Sequence, residues 1–188
     1  MNQTKRRIFE KTMELFAKKG YDATSIEEIT ASVGVAKGTF YYHFETKEKL
    51  FSFLVKESVR LFSNSTIAKA SKAKTLSEKV KAIILVQVKI VIKYENFIRM
   101  IASEMWGDEP RNIICREEAR KYINTIEKII VQAGEQEGKQ IENSKMLADQ
   151  IFGLLCSSLM YKLRDENEDK QILKLEMEYH VLKYIKLD

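Results

Sequence analysis

Apolar residues recur at helical spacing from the start of the chain. Ile8, Thr12 (through its methyl), Leu15 and Phe16 fall on one face of a helix over residues 4–19. Gly20 stops it, with Lys18 and Lys19 in the last turn, where cations suit the helix dipole. Thr24-Ser25-Ile26-Glu27-Glu28 contains two overlapping capping boxes. They open a short helix with Ile26, Ile29 and Val33 on one face and Gly34 at its end. The spacing predicts another short helix over 36–44, burying Val35, Phe40 and Phe44, and Thr46 caps a longer one with Leu50, Phe51, Leu54, Val55 and Leu61 inward. Residues 63–75, rich in Ser, Ala and Lys, offer little to a core and read as a helix end and loop. Thr75-Leu76-Ser77-Glu78 is a further capping box for a helix to about Lys93, and a separate segment runs from Glu95 to Trp106. Pro110 at a first helical position starts a helix ending near Gly134 or Gly138. Asn143-Ser144 caps an apolar helix over 145–163, and after Asp165-Glu166-Asn167-Glu168 a final helix reaches Ile185. The prediction is an all-α chain of about nine helices.

Composition agrees. Of 188 residues, 45% are hydrophobic and 31% charged, with one proline and seven glycines, too few turn residues for a many-stranded sheet fold. Cys115 and Cys156 are too few for a disulfide framework or structural zinc site and suit a reducing compartment. Lys5-Arg6-Arg7 leads into Ile8-Phe9-Glu10-Lys11 rather than an apolar stretch, and Gln87 and Lys89 interrupt the most apolar segment, 83–92. A cytoplasmic protein is expected, with no membrane partner. No nucleophile elbow, phosphate loop or metal-ligand cluster occurs, and Met177 stands where a Glu-x-x-His motif ending at His180 would need Glu. Neither catalysis nor a metal or other cofactor is expected.

The informative unit is the helix pair from Ser25 to Phe44. Two short helices joined by a Gly-containing turn can place the second helix in a DNA major groove. With Phe40 and Phe44 inward, Lys37, Thr39, Tyr41, Tyr42 and His43 remain for the other faces, all donors suited to phosphates and base edges. Gly38 allows close approach of a phosphate to the backbone, and Lys47 in the next first turn is spaced for another phosphate contact. Residues 1–50 carry nine basic and seven acidic side chains, a net of +2, so this is no general polybasic coat. The run Lys69, Lys72, Lys74, Lys79 and Lys81 reads as a solvated surface, with a second DNA contact as the alternative.

These residues carry a resemblance. Ile8-Phe9-Glu10, Leu15-Phe16-Ala17-Lys18-Lys19-Gly20-Tyr21, Ala23-Thr24-Ser25-Ile26, Val33 to Phe44 and Thr46 to Phe51, in register without a gap, resemble the DNA-binding domain of the TetR family of bacterial transcriptional repressors. The resemblance implies DNA contacts from Lys37, Gly38, Thr39, Tyr41, Tyr42, His43 and Lys47, with Thr24 or Ser25 gripping a phosphate at the helix entrance. Lys11-Thr12 departs from the family, which has two small apolar residues there. The implied organisation is a helix-turn-helix domain over 1–48 and a helical ligand-binding and dimerisation domain over 49–188.

One domain in one major groove gains little affinity, so a dimer on half-sites about 34–36 Å apart, or a multiple, is expected. Residues 146–160 carry more apolar surface than one buried stripe requires, and with the last helix they could form a four-helix bundle between subunits. Ile151, Leu155, Leu159, Met177 and Val181 are the expected interface residues. The resemblance also implies a small-molecule pocket among the middle helices. Phe97, Met100, Ile101, Met105, Trp106, Phe152 and Cys156 are its candidate lining, with Glu104, Arg99 and Arg116 as possible polar groups. These point to a mainly hydrophobic effector that releases the protein from its operator. The alternative is a helical small-molecule carrier without a working DNA-reading surface.

Overall fold

Asn2 begins the first helix, α1 (Gln3–Lys19), by accepting a hydrogen bond from the Lys5 amide at 2.8 Å, and Gly20 ends it. Ser25 caps α2 (Ile26–Val33). Of the two possible capping boxes, Ser25 with Glu28 is the one completed, its reciprocal bonds measuring 3.1 and 3.2 Å. Gly34 then adopts the left-handed conformation, φ 72° and ψ 42°, which an L side chain would resist. The chain reverses there into α3 (Lys37–Phe44), followed by α4 (Lys47–Ala70), α5 (Leu76–Ser103), α6 (Pro110–Gln136) and α7 (Ser144–Lys162). This computed structural model describes residues 2–162, and side chains through Ser157.

Seven helices therefore stand among the described residues against the nine expected, for two reasons. The segments expected as 75–93 and 95–106 are one helix, α5, kinked at Tyr94 (φ −122°, ψ 30°). Polar side chains at Tyr94 and Glu95 interrupt the apolar pattern but do not remove a backbone hydrogen bond as proline would. The expected helix ending at Ile185 lies outside the described residues.

The fourth helix also runs further than expected. Leu54, Ser58, Phe62, Thr66 and Ala70 form one i, i+4 row that is buried or half-buried throughout, so small residues continue the inward face past residue 63. That same row turns Leu61 outward, 43% exposed, contrary to its expected inward position.

The chain packs as two compact units. The first comprises residues up to Ser58 together with Asn96–Glu118; the second comprises Val59–Glu95 and the chain from Ala119 onward. In the first, Phe16, Tyr21 and Phe51 pack ring against ring at 5.1–6.1 Å, and Phe40, Phe44 and Phe53 continue the aromatic core at 5.3–5.9 Å. Ile8, Ile29, Leu50 and Leu54 fill the space between and are fully buried. Each such side chain contributes about 1.5–3 kcal/mol by leaving water. Thr12 is buried as its methyl predicts, yet its hydroxyl has no partner, while Lys11 stays exposed and pairs with Glu14 at 2.7 Å. The second unit has its own aliphatic core of Leu76, Val80, Ile83, Ile84, Val88, Ile126, Ile130 and Ile151, closed by Tyr122.

Candidate nucleic-acid interface

The aromatic core of the first unit fixes the orientation of α3. Phe40 and Phe44, 0% and 4% exposed, hold one face inward, so the opposite face must look out. Tyr42 is 84% exposed with its ring edge-on to His43 at 5.0 Å, and Tyr41 is 48% exposed against Phe40. Thr39 and His43 are half-buried at the margins of this face. No side chain caps the start of α3, because Ala36 occupies the N-cap, leaving the first-turn amides at Lys37 and Gly38 without one. At Gly38 an added methyl group would meet no protein atom within 4 Å, and the backbone is not left-handed there. The fold itself makes no demand for glycine at this position. The space before it is open, and an uncapped helix start is suited to an anion.

The remaining expected contacts are held in ways the sequence did not reveal. The Lys37 ammonium pairs with Glu27 of α2, which raises the lysine's pKa and lowers that of the carboxyl. Lys47 lies over the Tyr21 ring at 4.2 Å with its ammonium 3.4 Å from the Asp22 carbonyl, and partial burial holds it below the ordinary lysine range. Ser25 is exposed at the mouth of α2. Thr24 is 1% exposed and donates its hydroxyl to the Gly20 carbonyl at 2.8 Å. Of the two alternatives for a phosphate grip, Ser25 is therefore the accessible one.

Arg111, which the sequence reading did not single out, completes this corner. Its guanidinium donates to Glu104 at 2.8 Å, approaches Asp22 at 3.5 Å, and lies 5.3 Å from the centre of the Tyr21 ring. The Tyr21 hydroxyl in turn donates to Glu48 at 3.0 Å. Burial, followed by that glutamate, pushes the phenol well above its ordinary pKa. No local signal could have placed Arg111 at this corner, since Tyr21 and Asp22 lie in a turn far away along the chain. Glu104 and Arg116, expected as pocket groups, are committed to the turn before α6. Glu104 accepts from Arg111 and Asn112, and Arg116 donates to the carbonyls of Met105 and Gly107.

Residues 8–53 match the family profile described as bacterial regulatory proteins, tetR family. Over these residues, about a quarter of its length, the chain is similar to that family. The uncharacterized HTH-type transcriptional regulator YerO of Bacillus subtilis is 52% identical over 50 residues, which are 27% of this chain and 17% of YerO. The chain thus matches under a fifth of that curated relative's length. Likeness over nearly the whole chain comes from solved structures. A proposed fatty acid metabolism regulator of Clostridium perfringens superposes with a TM-score of 0.81 and 28% identity, covering 97% of this chain and 100% of that one. The regulator FadR of Bacillus subtilis, solved in complex with stearoyl-CoA, superposes with a TM-score of 0.80 and 22% identity, covering 96% and 98%.

The expected pocket and dimer residues are distributed differently from the DNA face. Phe97 and Met100 are buried in the first unit and Ile101 and Met105 half-buried, whereas Trp106 is 84% exposed. Phe152, half-buried beside Tyr122 at 6.2 Å, and the exposed Cys156 belong to the second unit. None of the seven lines either of two clefts on that unit. One cleft, of about 420 Å³, is walled by Lys69, Lys72, Lys74 and Lys81; the other, of about 650 Å³, is walled by Thr75, Glu137 and Ile141. Ile151 and Leu155, expected at a dimer interface, are 1% and 7% exposed within their own chain, so its core already covers them. Leu159, Met177 and Val181 lie outside the described side chains.

Proposed function

We propose that this chain is a sequence-specific, DNA-binding transcriptional regulator that works as a cytoplasmic homodimer and represses until a hydrophobic small molecule releases it from its operator. The observation that carries the reading is the outward face of α3. There two exposed tyrosines, a glycine with open space before it and an uncapped helix start stand together on a rigid aromatic core. Residues 1–48 supply the reading head, and residues 49–188 supply the effector site and the dimer contacts. The reading needs no catalytic step and no cofactor. The family match over residues 8–53 supports it, and the FadR structure with stearoyl-CoA supports an effector carrying an acyl chain.

The test is binding of the purified chain to duplex DNA flanking its own gene, titrated across salt. Affinity should fall steeply as salt rises, because each phosphate contact releases counterions, and should exceed that for scrambled duplex. Stearoyl-CoA is then added to the complex, and release by it supports the effector class. Binding that ignores both sequence and salt overturns the regulator in favour of a small-molecule carrier.

A further inference from the structure

The core of the second unit is aliphatic but for one polar cluster, assembled from three helices. Thr66 of α4, Gln87 of α5 and Tyr122 of α6 are 0%, 1% and 3% exposed. The Thr66 and Tyr122 hydroxyls share a hydrogen bond of 3.0 Å. The Gln87 amide lies close enough to the Tyr122 hydroxyl to favour its ionised form, but not in the distance and angle of a formed hydrogen bond, so neither its Nε2 nor its Oε1 completes one among the described residues. Two hydroxyls sharing one bond leave one O–H unused, and the amide adds two N–H donors and a carbonyl. Buried polar groups are ordinarily satisfied, and an aliphatic residue at position 87 would pack with Ile84 and Val88 without this cost.

We propose that Gln87, Thr66 and Tyr122 form the polar anchor of an effector site. They would receive an uncharged carbonyl group on an otherwise apolar molecule, with the Gln87 amide and the spare hydroxyl donating to its oxygen. This deepens the hydrophobic-effector reading above and rests on it. The aliphatic surroundings suit an ester, amide or ketone and disfavour a carboxylate, which would lose its hydration with no cation in the cluster to replace it. Burial raises the Tyr122 pKa, so the phenol remains a proton donor across the physiological range.

The experiment compares methyl decanoate with 1-methoxydecane, which differ only by a carbonyl in place of a methylene. Calorimetric titration of the full chain should show at least a tenfold preference for the ester, equivalent to about 1.4 kcal/mol. The side-chain amide resonances of Gln87 should shift with the ester and not with the ether. In Gln87→Met the ester should fall to the affinity of the ether, while the melting temperature stays level or rises. Equal affinities in the unaltered protein overturn the anchor and leave the effector reading standing. A melting temperature lowered by several degrees in Gln87→Met overturns it too, since the amide would then be holding the fold. Failure of both probes to bind also overturns the anchor, and the operator-release assay then decides the effector reading separately.

Discussion

Tyr42 and Thr12 show how little a residue's type says of its role until its surroundings are known. Tyr42 touches little besides His43, so its size serves nothing inside the fold. Tyr42→Ala should weaken operator binding by about 1–3 kcal/mol in a titration of labelled duplex, the range for a side chain that reads a base edge. Its unfolding midpoint in urea should stay unchanged; a lowered midpoint would mean the ring is a packing residue. Thr12 is the reverse case, a polar residue buried with its hydroxyl unpartnered. Thr12→Val keeps the shape and removes the orphaned oxygen, so it should stabilise the chain by about 1 kcal/mol, read from the same urea transition. The sequence pattern disclosed the burial of Thr12, because a methyl on a helical stripe is a local fact. It could not disclose the missing partner, which depends on every neighbour at once.

At the scale of the element, what was legible was what local chemistry decides. The end of α1 and both ends of α2 lie where glycines and a capping box placed them, and the inward positions of Phe40 and Phe44 followed from spacing. Two long helices were misjudged because their determinants are not apolar. Small buried residues carry α4 through 66 and 70, and α5 kinks at Tyr94 without ending there. Pairing across elements was not legible at all. Glu27 of α2 with Lys37 of α3, and Arg111 of α6 with Tyr21 and Asp22, depend on the folded arrangement alone. Arg111 is 29% and Glu104 15% exposed, so their pair is only partly screened by solvent. Arg111→Ala should lower stability by about 1 kcal/mol and speed amide exchange around residues 20–24. Unaltered exchange there would show that the guanidinium does not hold the loop.

Across the whole molecule, charge sets the response to acid. The carboxyls of Glu27, Glu28, Glu48, Glu78 and Glu137 all lie below the ordinary value of 4.5. Lysines 37 and 19 lead for the first two, and backbone amides lead for the other three. A carboxyl whose pKa is depressed by folding stabilises the folded state above its unfolded pKa and loses that contribution as pH falls through the lower, folded value. The urea midpoint should therefore stay level between about pH 7 and pH 5.5 and decline below about pH 4.5. A midpoint that rises on acidification would contradict these assignments.

Trp106 is the chain's single tryptophan, and it stands 84% exposed in the turn that Arg116 and Glu104 brace. Indole emission from this protein therefore originates at one known place, with no second tryptophan to blur it. Its colour and its quenching by iodide form a native optical gauge of that turn. Rapid mixing with duplex or effector could then time the turn's response without attaching a dye.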